Sequence, residues 1–457
     1  MLMSFSFENA LSFKENQSLS LEATNKKKDN FLERNYVSVN DKLNILKSAV
    51  IFGANGGGKS NIVANLKNMH RIIMYSLKYT NDEFDHYIPT FLLDEHSKEK
   101  NTEYEVEFVS KNKTKYRYGI SIKKSIIEEE WLYYTPAVRE TNLFYRKNDL
   151  ITYNRNFTEA NKFVKDGVIQ KTKKTVPFVS VLASFDGLHS NEVVGFFTSI
   201  DFIISDNDDN DLVFTLKLWK DSKEFKEWVS PILKSIGISG IRFQNKSMEE
   251  INSIMNRLER EKKNLDVELE HEEKMSEVIN KLYDAMTSVH SIVDKEKIEA
   301  EIHLPSVEII RTINGVEYSL PINLESDGTI KLLHLLGKLY SNCINGGVIV
   351  IDEFDTKFHT LLSRKLIEMF NELSVSGQFI VTAHDTNLMN TEYLRRDQLW
   401  LVNKNKKYES QLYSLVEYKE LGYDITNINY SDEYLRGVFD AIPLFDHDVF
   451  DGGDIDG

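Results

Sequence analysis

Cysteine is almost absent: Cys343 is the single one in 457 residues. That excludes an intrachain disulfide and a cysteine-built zinc site, and it fits a reducing compartment. Proline is scarce at 7 residues, and glycine totals 21. Collagen-like, linker-like and proline-rich architectures are therefore out. Positive charge is in deficit, with 56 Lys and Arg against 71 Asp and Glu, a net charge of -15. Such a chain is no general polyanion binder, and a nucleic-acid contact would need a local basic patch. No apolar run approaches the ~18 residues of a membrane helix. The opening MLMSFSFENALSF has neither a cationic leader nor an uninterrupted apolar segment, so no signal peptide is expected. The expectation is a soluble, cytoplasmic protein.

What is present is globular in character: 41% hydrophobic and 28% charged residues. The length gives room for roughly two to four domains, or for one large domain with an insertion. Residues 4–24 alternate apolar and polar through Phe5, Phe7, Leu19 and Leu21, which predicts an opening pair of strands. Ser48 to Phe52 is a short β-prone run. Glycines break it, and helical spacing follows through Ile62, Leu66, Met69 and Ile73. Residues 101–135 read as a β-meander, with EYEVEFV, KYRYGISI and IIEEEWLYY as its strands, and 140–155 continue in strand-like pieces. Residues 156–240 read mostly as helices, punctuated by Pro177 and Pro231.

Residues 241–304 contain neither Gly nor Pro. Their apolar positions run Ile254, Leu258, Leu265, Leu269, Met275, Ile279, Leu282 and Met286, close to a heptad seam that Glu261, Glu268 and Glu272 interrupt. One long helix or a helical hairpin fits. It is either a solvated amphipathic helix packed on one face or a coiled-coil arm over 246–289. After Pro305, SVEIIRT and EYSLPI flank an Asn-Gly hairpin turn. A helix near 328–342, a buried strand GGVIVIDE, a helix near 359–374, a buried strand QFIVTAH and a strand QLWLVNK come next. That alternation predicts a parallel sheet covered on both faces.

Four motifs carry chemistry. GANGGGKS at 53–60 fits the P-loop pattern G-x-x-x-x-G-K-[ST]. Gly53, Gly56 and Gly58 let the backbone curl so that N–H groups point at phosphate oxygens, with Asn55, Gly57 and Asn61 in the same stretch. The helix starting near Lys59 adds its dipole there. Lys59 reaches the β- and γ-phosphates of a nucleotide, and Ser60 is a candidate Mg²⁺ ligand. GGVIVIDEF at 346–354 has the form of a Walker B strand. Asp352 emerges at its end to hold the metal, and Glu353 is placed to polarise an attacking water. LESDGT at 324–329 sets Ser326, Asp327, Gly328 and Thr329 at a helix start, as an anion contact or as an ordinary N-cap. VTAH at 381–384 ends the next buried strand with His384.

In this order and spacing the motifs resemble an ABC-type ATPase head of the SMC and RecF-like class. SFSFENALSFKE, GKSN, YRYGISI with EEEWLYY, ESDGT, DEFDTKFHTLL and YLRGVFDAIP are similar to the single-chain ATPases of bacterial abortive-infection and related anti-phage systems, such as the AbiL and PARIS types. The resemblance touches nearly the whole chain except about 156–300. It implies an α/β P-loop NTPase fold, an ABC-type head with an N-terminal antiparallel β subdomain and a long helical insertion. The implied divisions are 1–155 and 305–445 for the two halves of the head, 156–304 for the insertion and 446–457 for an acidic tail.

The resemblance further implies ATP and Mg²⁺ as cofactors and slow hydrolysis at two sites shared between two subunits. Glu353 and His384 would be catalytic. Lys59, Ser60 and Asp352 would act in the same subunit, and Ser326 to Thr329 would touch the γ-phosphate of the opposing one. Asp355 takes the D-loop position, with His359 beside it. The family has an aromatic and an Arg where this chain has Ala10 and Leu11, which removes a basic contact. The implied role is that of sensor or scaffold, a homo-oligomer controlling an effector partner such as a Toprim-fold nuclease. The alternative is a DNA-repair or chromosome ATPase gripping DNA across its dimer, through Lys26 to Lys28, Lys111 to Lys115 or Lys171 to Lys174. Nucleic acid is possible but not favoured at this net charge, and the last twelve residues read as a solubilising tail or a docking element.

Overall fold

The computed structural model describes residues 1–24, 32–78, 89–165, 173–203, 209–246, 304–420 and 429–442. The coiled-coil segment 246–289 beyond its first residue, the acidic tail, Lys26 to Lys28 and Lys171 lie outside them. The chain divides into two compact units, Met1–Thr215 with Leu333–Gly457, and Leu216–Leu332.

The first unit is built on two sheets. One has six strands in the order Ile200–Ile203, Gly347–Ile351, Gly377–Thr382, Ser48–Gly53, Leu399–Lys404, Ser410–Ser414. The first five are parallel, and the last closes an antiparallel hairpin. Ser48–Gly53 and Gly377–Thr382 are buried at every position, as strands covered on both faces must be. Register aligns Ile351 with Val381, Thr382 with Ile51, and Val402 with Gly53. The P-loop, Walker B and VTAH motifs therefore leave the sheet at one common edge, where open α/β sheets carry ligands.

The other sheet is antiparallel with seven strands, ordered Leu150–Tyr153, Thr141–Lys147, Ile126–Thr135, Lys115–Lys123, Thr102–Val109, Leu2–Glu8, Gln17–Ser20. Its inward residues, including Phe5, Phe7, Tyr104 and Tyr118, share one core with Ile62, Leu66, Met69 and Ile73 of the P-loop helix Lys59–Tyr75. The Tyr104 hydroxyl donates to Asn65 Oδ1 of that helix at 3.2 Å. The outward residues are polar: Arg117 grips Glu140 through Nε and Nη2 and lies 4.1 Å from the Tyr133 ring centroid.

The second unit holds the helix Lys223–Ser235 and a three-stranded antiparallel sheet, Gly240–Lys246, Leu304–Ile313 and Val316–Pro321. Asn314 and Gly315 both take positive φ, 51° and 80°. That is the type I′ hairpin expected of the Asn-Gly pair.

One expectation gains a detail and one needs correction. The described part of 156–240 is mostly helical, as expected, with one edge strand, Ile200–Ile203, that pairs in parallel with Gly347–Ile351. Four residues carry too little periodicity to show this, and the partner strand supplies the order. Pro231 does not end a helix but sits inside Lys223–Ser235. A mid-helix proline costs about 3 kcal/mol, and the buried face of Phe225, Val229, Ile232 and Leu233 offsets it.

The P-loop helix also carries a titratable group in its packing. His70 lies among the rings of Tyr75, Phe197 and Phe202. Burial pushes its pKa from 6.5 down to about 4, with Arg71 and Lys67 pushing the same way and the Phe197 backbone and Asp201 opposing. As pH falls from 6.5 towards 4, the unfolded chain takes a proton that the folded chain refuses, so stability is lost. His70→Phe is expected to flatten this acid limb by up to about 1.4 kcal/mol per pH unit. Denaturant midpoints across that range check it, and an unchanged slope refutes it.

Candidate functional site

The P-loop forms because its strand ends on a residue that cannot carry a side chain. A Cβ on Gly53 would lie 2.3 Å from the Val402 carbonyl oxygen. Gly58, the residue before the helix, has φ 122°, and a Cβ there would lie 2.6 Å from Ser410 Oγ. Two serines that the motif does not include brace the loop. Ser410 Oγ donates to the Gly57 carbonyl at 2.6 Å and lies 2.8 Å from Ser12 Oγ. Ser12 Oγ also accepts from Asn61 Nδ2 at 2.8 Å. The Ala54 N–H donates to the Ala441 carbonyl, which also accepts the Tyr434 hydroxyl. The segment after Asn429 thus touches the start of the loop. Beside Ser12, Ala10 is buried and Leu11 turns with φ 54°, its N–H on Pro89.

Lys59 is buried, with Nζ donating to the carbonyls of Gly53 at 2.6 Å and Ala54 at 3.2 Å. Burial pushes its ammonium pKa below the usual value, against the pull of Asp352, Asp355 and Glu353. The lysine rests on its own loop, on carbonyls that phosphate oxygens can outcompete. Ser60 follows with an exposed side chain.

The Walker B end is held by Thr382, a residue inside VTAH but not among the candidate site residues. Thr382 Oγ1 donates to Asp352 Oδ1 at 2.6 Å and accepts the Glu353 N–H at 2.8 Å. Glu353 has φ 51°, a left-handed conformation that costs a non-glycine residue about 1–2 kcal/mol and is concentrated at functional sites. Asp355 accepts the N–H groups of His384 and Asp385 on Oδ2. Thr360 donates to Asp385 in turn. Asp355 therefore ties the turn after the Walker B strand to the loop that begins at His384 in its own chain. Its Oδ1 is buried without a hydrogen-bond partner among the described residues.

These groups line a cavity of about 710 Å³, a size that takes a small molecule. Asn55, Gly56, Gly58, Lys59, Ser60 and Asn61 form one wall, and Glu353, Asp355, Thr356 and His384 the other. Gly53, Gly57 and Asp352 are not among the lining residues. The donors suit Mg²⁺: Ser60 Oγ and Asp352 Oδ2 are hard oxygens, and no described residue donates a hydrogen bond to that Oδ2. Among the described residues no cluster of three or more His, Cys, Asp or Glu could hold a metal by itself. A Mg²⁺ ion here would depend on phosphate oxygens and water for its remaining ligands.

Ser326 to Thr329 belong to the second unit. Ser326 Oγ accepts the Thr329 N–H at 3.2 Å and lies 3.0 Å from Thr329 Oγ1, capping the helix Asp327–Asn345. Arg311 holds the preceding Glu325 at 2.7 and 2.8 Å. Of the lysine patches, Lys115 pairs with Glu107 at 2.5 Å and Lys174 with Asp149 at 3.2 Å. Sequence reasoning missed Ser12, Ser410 and Thr382. Only Thr382 left a signal, as the polar residue of VTAH that directly follows the buried apolar stretch of Phe379, Ile380 and Val381.

The family described as "AAA domain, putative AbiEii toxin, Type IV TA system" matches residues 48–166 and 197–390, more than half of the chain. No curated protein matches the chain. Among solved structures, it is similar to an SMC head domain from Thermotoga maritima at 13% identity, covering 90% of this chain and 98% of that one, with a TM-score of 0.38. It is also similar to an Smc head bound to the C-winged helix domain of ScpA, at 12% identity, 92% and 99% coverage and a TM-score of 0.42.

Gly58→Ala puts a side chain on a left-handed residue against Ser410. It is expected to weaken binding of a fluorescent ATP analogue at least tenfold, as read by titration. Wild-type affinity in a folded Gly58→Ala protein contradicts the role given to this residue.

Proposed function

The chain belongs to that AAA-domain family, and on this premise we propose that it binds ATP in the cavity described and hydrolyses it slowly as an ABC-type ATPase. The observation that carries the reading is one pocket holding Lys59 and Ser60 opposite Glu353 and His384. On nucleotide binding, Lys59 leaves the Gly53 and Ala54 carbonyls for the β- and γ-phosphates. Loop N–H groups of Asn55, Gly56 and Gly58 to Ser60 take further phosphate oxygens. Ser60 and Asp352 hold Mg²⁺, which when bound neutralises charge on those oxygens. Glu353 orients the attacking water and takes its proton, while His384 contacts the γ-phosphate. Asp355 keeps the His384 backbone in place from within the same chain.

Hydrolysis is slow in this reading because the site is completed by a second subunit. Ser326, Asp327, Gly328 and Thr329 of one subunit meet the γ-phosphate bound by the other, so that ATP holds a homo-oligomer together and hydrolysis releases it. Ser326 is exposed at a helix start, where the N–H groups of the first turn and the helix dipole suit an anion.

The biological role is that of a cytoplasmic sensor or scaffold in an anti-phage, abortive-infection system, controlling an effector partner such as a Toprim-fold nuclease. The support is the family's description and the resemblance of the opening strand, ESDGT and YLRGVFDAIP. The alternative, a DNA-repair or chromosome ATPase, is not better supported: of its described lysines, Lys115 and Lys174 are ion-paired.

Lys59→Ala is expected to lower ATP affinity at least a hundredfold. Glu353→Gln should keep the affinity, lose at least a hundredfold in turnover and accumulate the ATP-held oligomer on size-exclusion chromatography. Equal turnover in wild type and Glu353→Gln removes Glu353 as the base. Ser326→Arg should spare binding and stop the assembly; assembly with ATP in that variant rules out the trans contact. Purifying Glu353→Gln from its host with ATP present tests the partner. A stoichiometric nuclease supports the defence role, and DNA without a protein partner supports the alternative.

A further inference from the structure

We propose that Thr382 is a positioning residue for the metal-holding and water-polarising carboxylates, setting both from the neighbouring strand through one hydroxyl. The proposal rests on the ATPase reading above. Thr382 is the last residue of the strand Gly377–Thr382, which lies between the P-loop strand and the Walker B strand. It is fully buried, so its hydroxyl must find partners inside the protein.

A buried threonine commonly satisfies itself on a nearby backbone carbonyl. Thr382 instead gives its proton to Asp352 Oδ1 at 2.6 Å and accepts the Glu353 N–H at 2.8 Å. Its own carbonyl accepts the Phe354 N–H at 3.0 Å. One residue therefore grips the Asp352–Phe354 turn at three consecutive positions.

Each grip has a chemical consequence. With Oδ1 engaged, Asp352 keeps one oxygen, Oδ2, with no described hydrogen bond, and the carboxylate cannot rotate without breaking the bond to Thr382. The Glu353 amide bond holds a non-glycine residue at φ 51°, a conformation that surrounding contacts must impose. Glu353 lines the cavity together with Lys59 and Ser60. Asp352 is not among the lining residues, and the hydrogen bond that fixes its carboxylate comes from Thr382.

The test compares Thr382→Val, which keeps shape and removes the hydroxyl, with Thr382→Ser, which keeps the hydroxyl. The readout is the gain in affinity for the slowly hydrolysed analogue ATPγS when Mg²⁺ replaces EDTA, with turnover as a second measure. Thr382→Val is expected to bind ATPγS in EDTA within about twofold of wild type. It should lose about tenfold of the Mg²⁺-dependent gain and at least tenfold in kcat. Thr382→Ser should return both to within about threefold. If Thr382→Val melts far below wild type, Thr382→Ala is measured in the same way.

A full Mg²⁺ gain in the folded variant lacking the hydroxyl overturns the proposal while leaving the ATPase reading intact. So does a Thr382→Ser protein that melts like wild type but loses the gain as badly as valine. Wild-type protein that shows no Mg²⁺-dependent gain defeats the ATPase reading, and the role of Thr382 falls with it.

Discussion

The parallel pairing of Ser48–Gly53 between Gly377–Thr382 and Leu399–Lys404 is the constraint from which the site follows. Because these strands run the same way and share a register, the residues after each strand emerge together. Gly53 makes that pairing possible at the point of closest approach, with the Val402 carbonyl where a side chain would stand. Moving one strand by a residue would turn its side chains to the opposite face. Thr382 would then leave Asp352, and the Glu353 turn would lose its support.

Around that edge the polar groups are satisfied in two different ways. Loop and turn backbones are fastened: Gly57 by Ser410, Ala54 by Ala441, Glu353 by Thr382, and His384 by Asp355. The groups facing the cavity are held more loosely. Lys59 rests on carbonyls of its own loop, and Asp355 keeps a buried oxygen without a described partner. Fastening the backbone while leaving the charges exchangeable is what preorganisation requires, since a ligand then pays little to order the site.

The strained Glu353 and the buried Lys59 each cost free energy that the core must supply. That core is continuous through the P-loop helix, joining the antiparallel sheet at Phe5, Tyr104 and Tyr118 to the parallel sheet at Val348, Val350 and Ile380. The meander, which contributes no residue to the cavity lining, thus stiffens the helix whose first turn carries Lys59 and Ser60.

The sequence by itself determined the motifs and most of the elements that carry them. Gly-rich GANGGGKS after a β-prone run and the buried strands before Asp352 and His384 depend on local pattern, which neighbouring residues show. The Asn-Gly turn at 314–315 belongs to the same class. What the tertiary structure alone decided was contact between residues distant in the chain. The strand Ile200–Ile203 exists by pairing with Gly347–Ile351, and Pro231 survives inside a helix because one face is buried. Ser12 and Ser410 meet across nearly the whole chain to hold Gly57. Thr382 reached Asp352 because two strands lie side by side in one register. Local propensity cannot encode such contacts, because their energy is realised only when the sheet has brought the partners together.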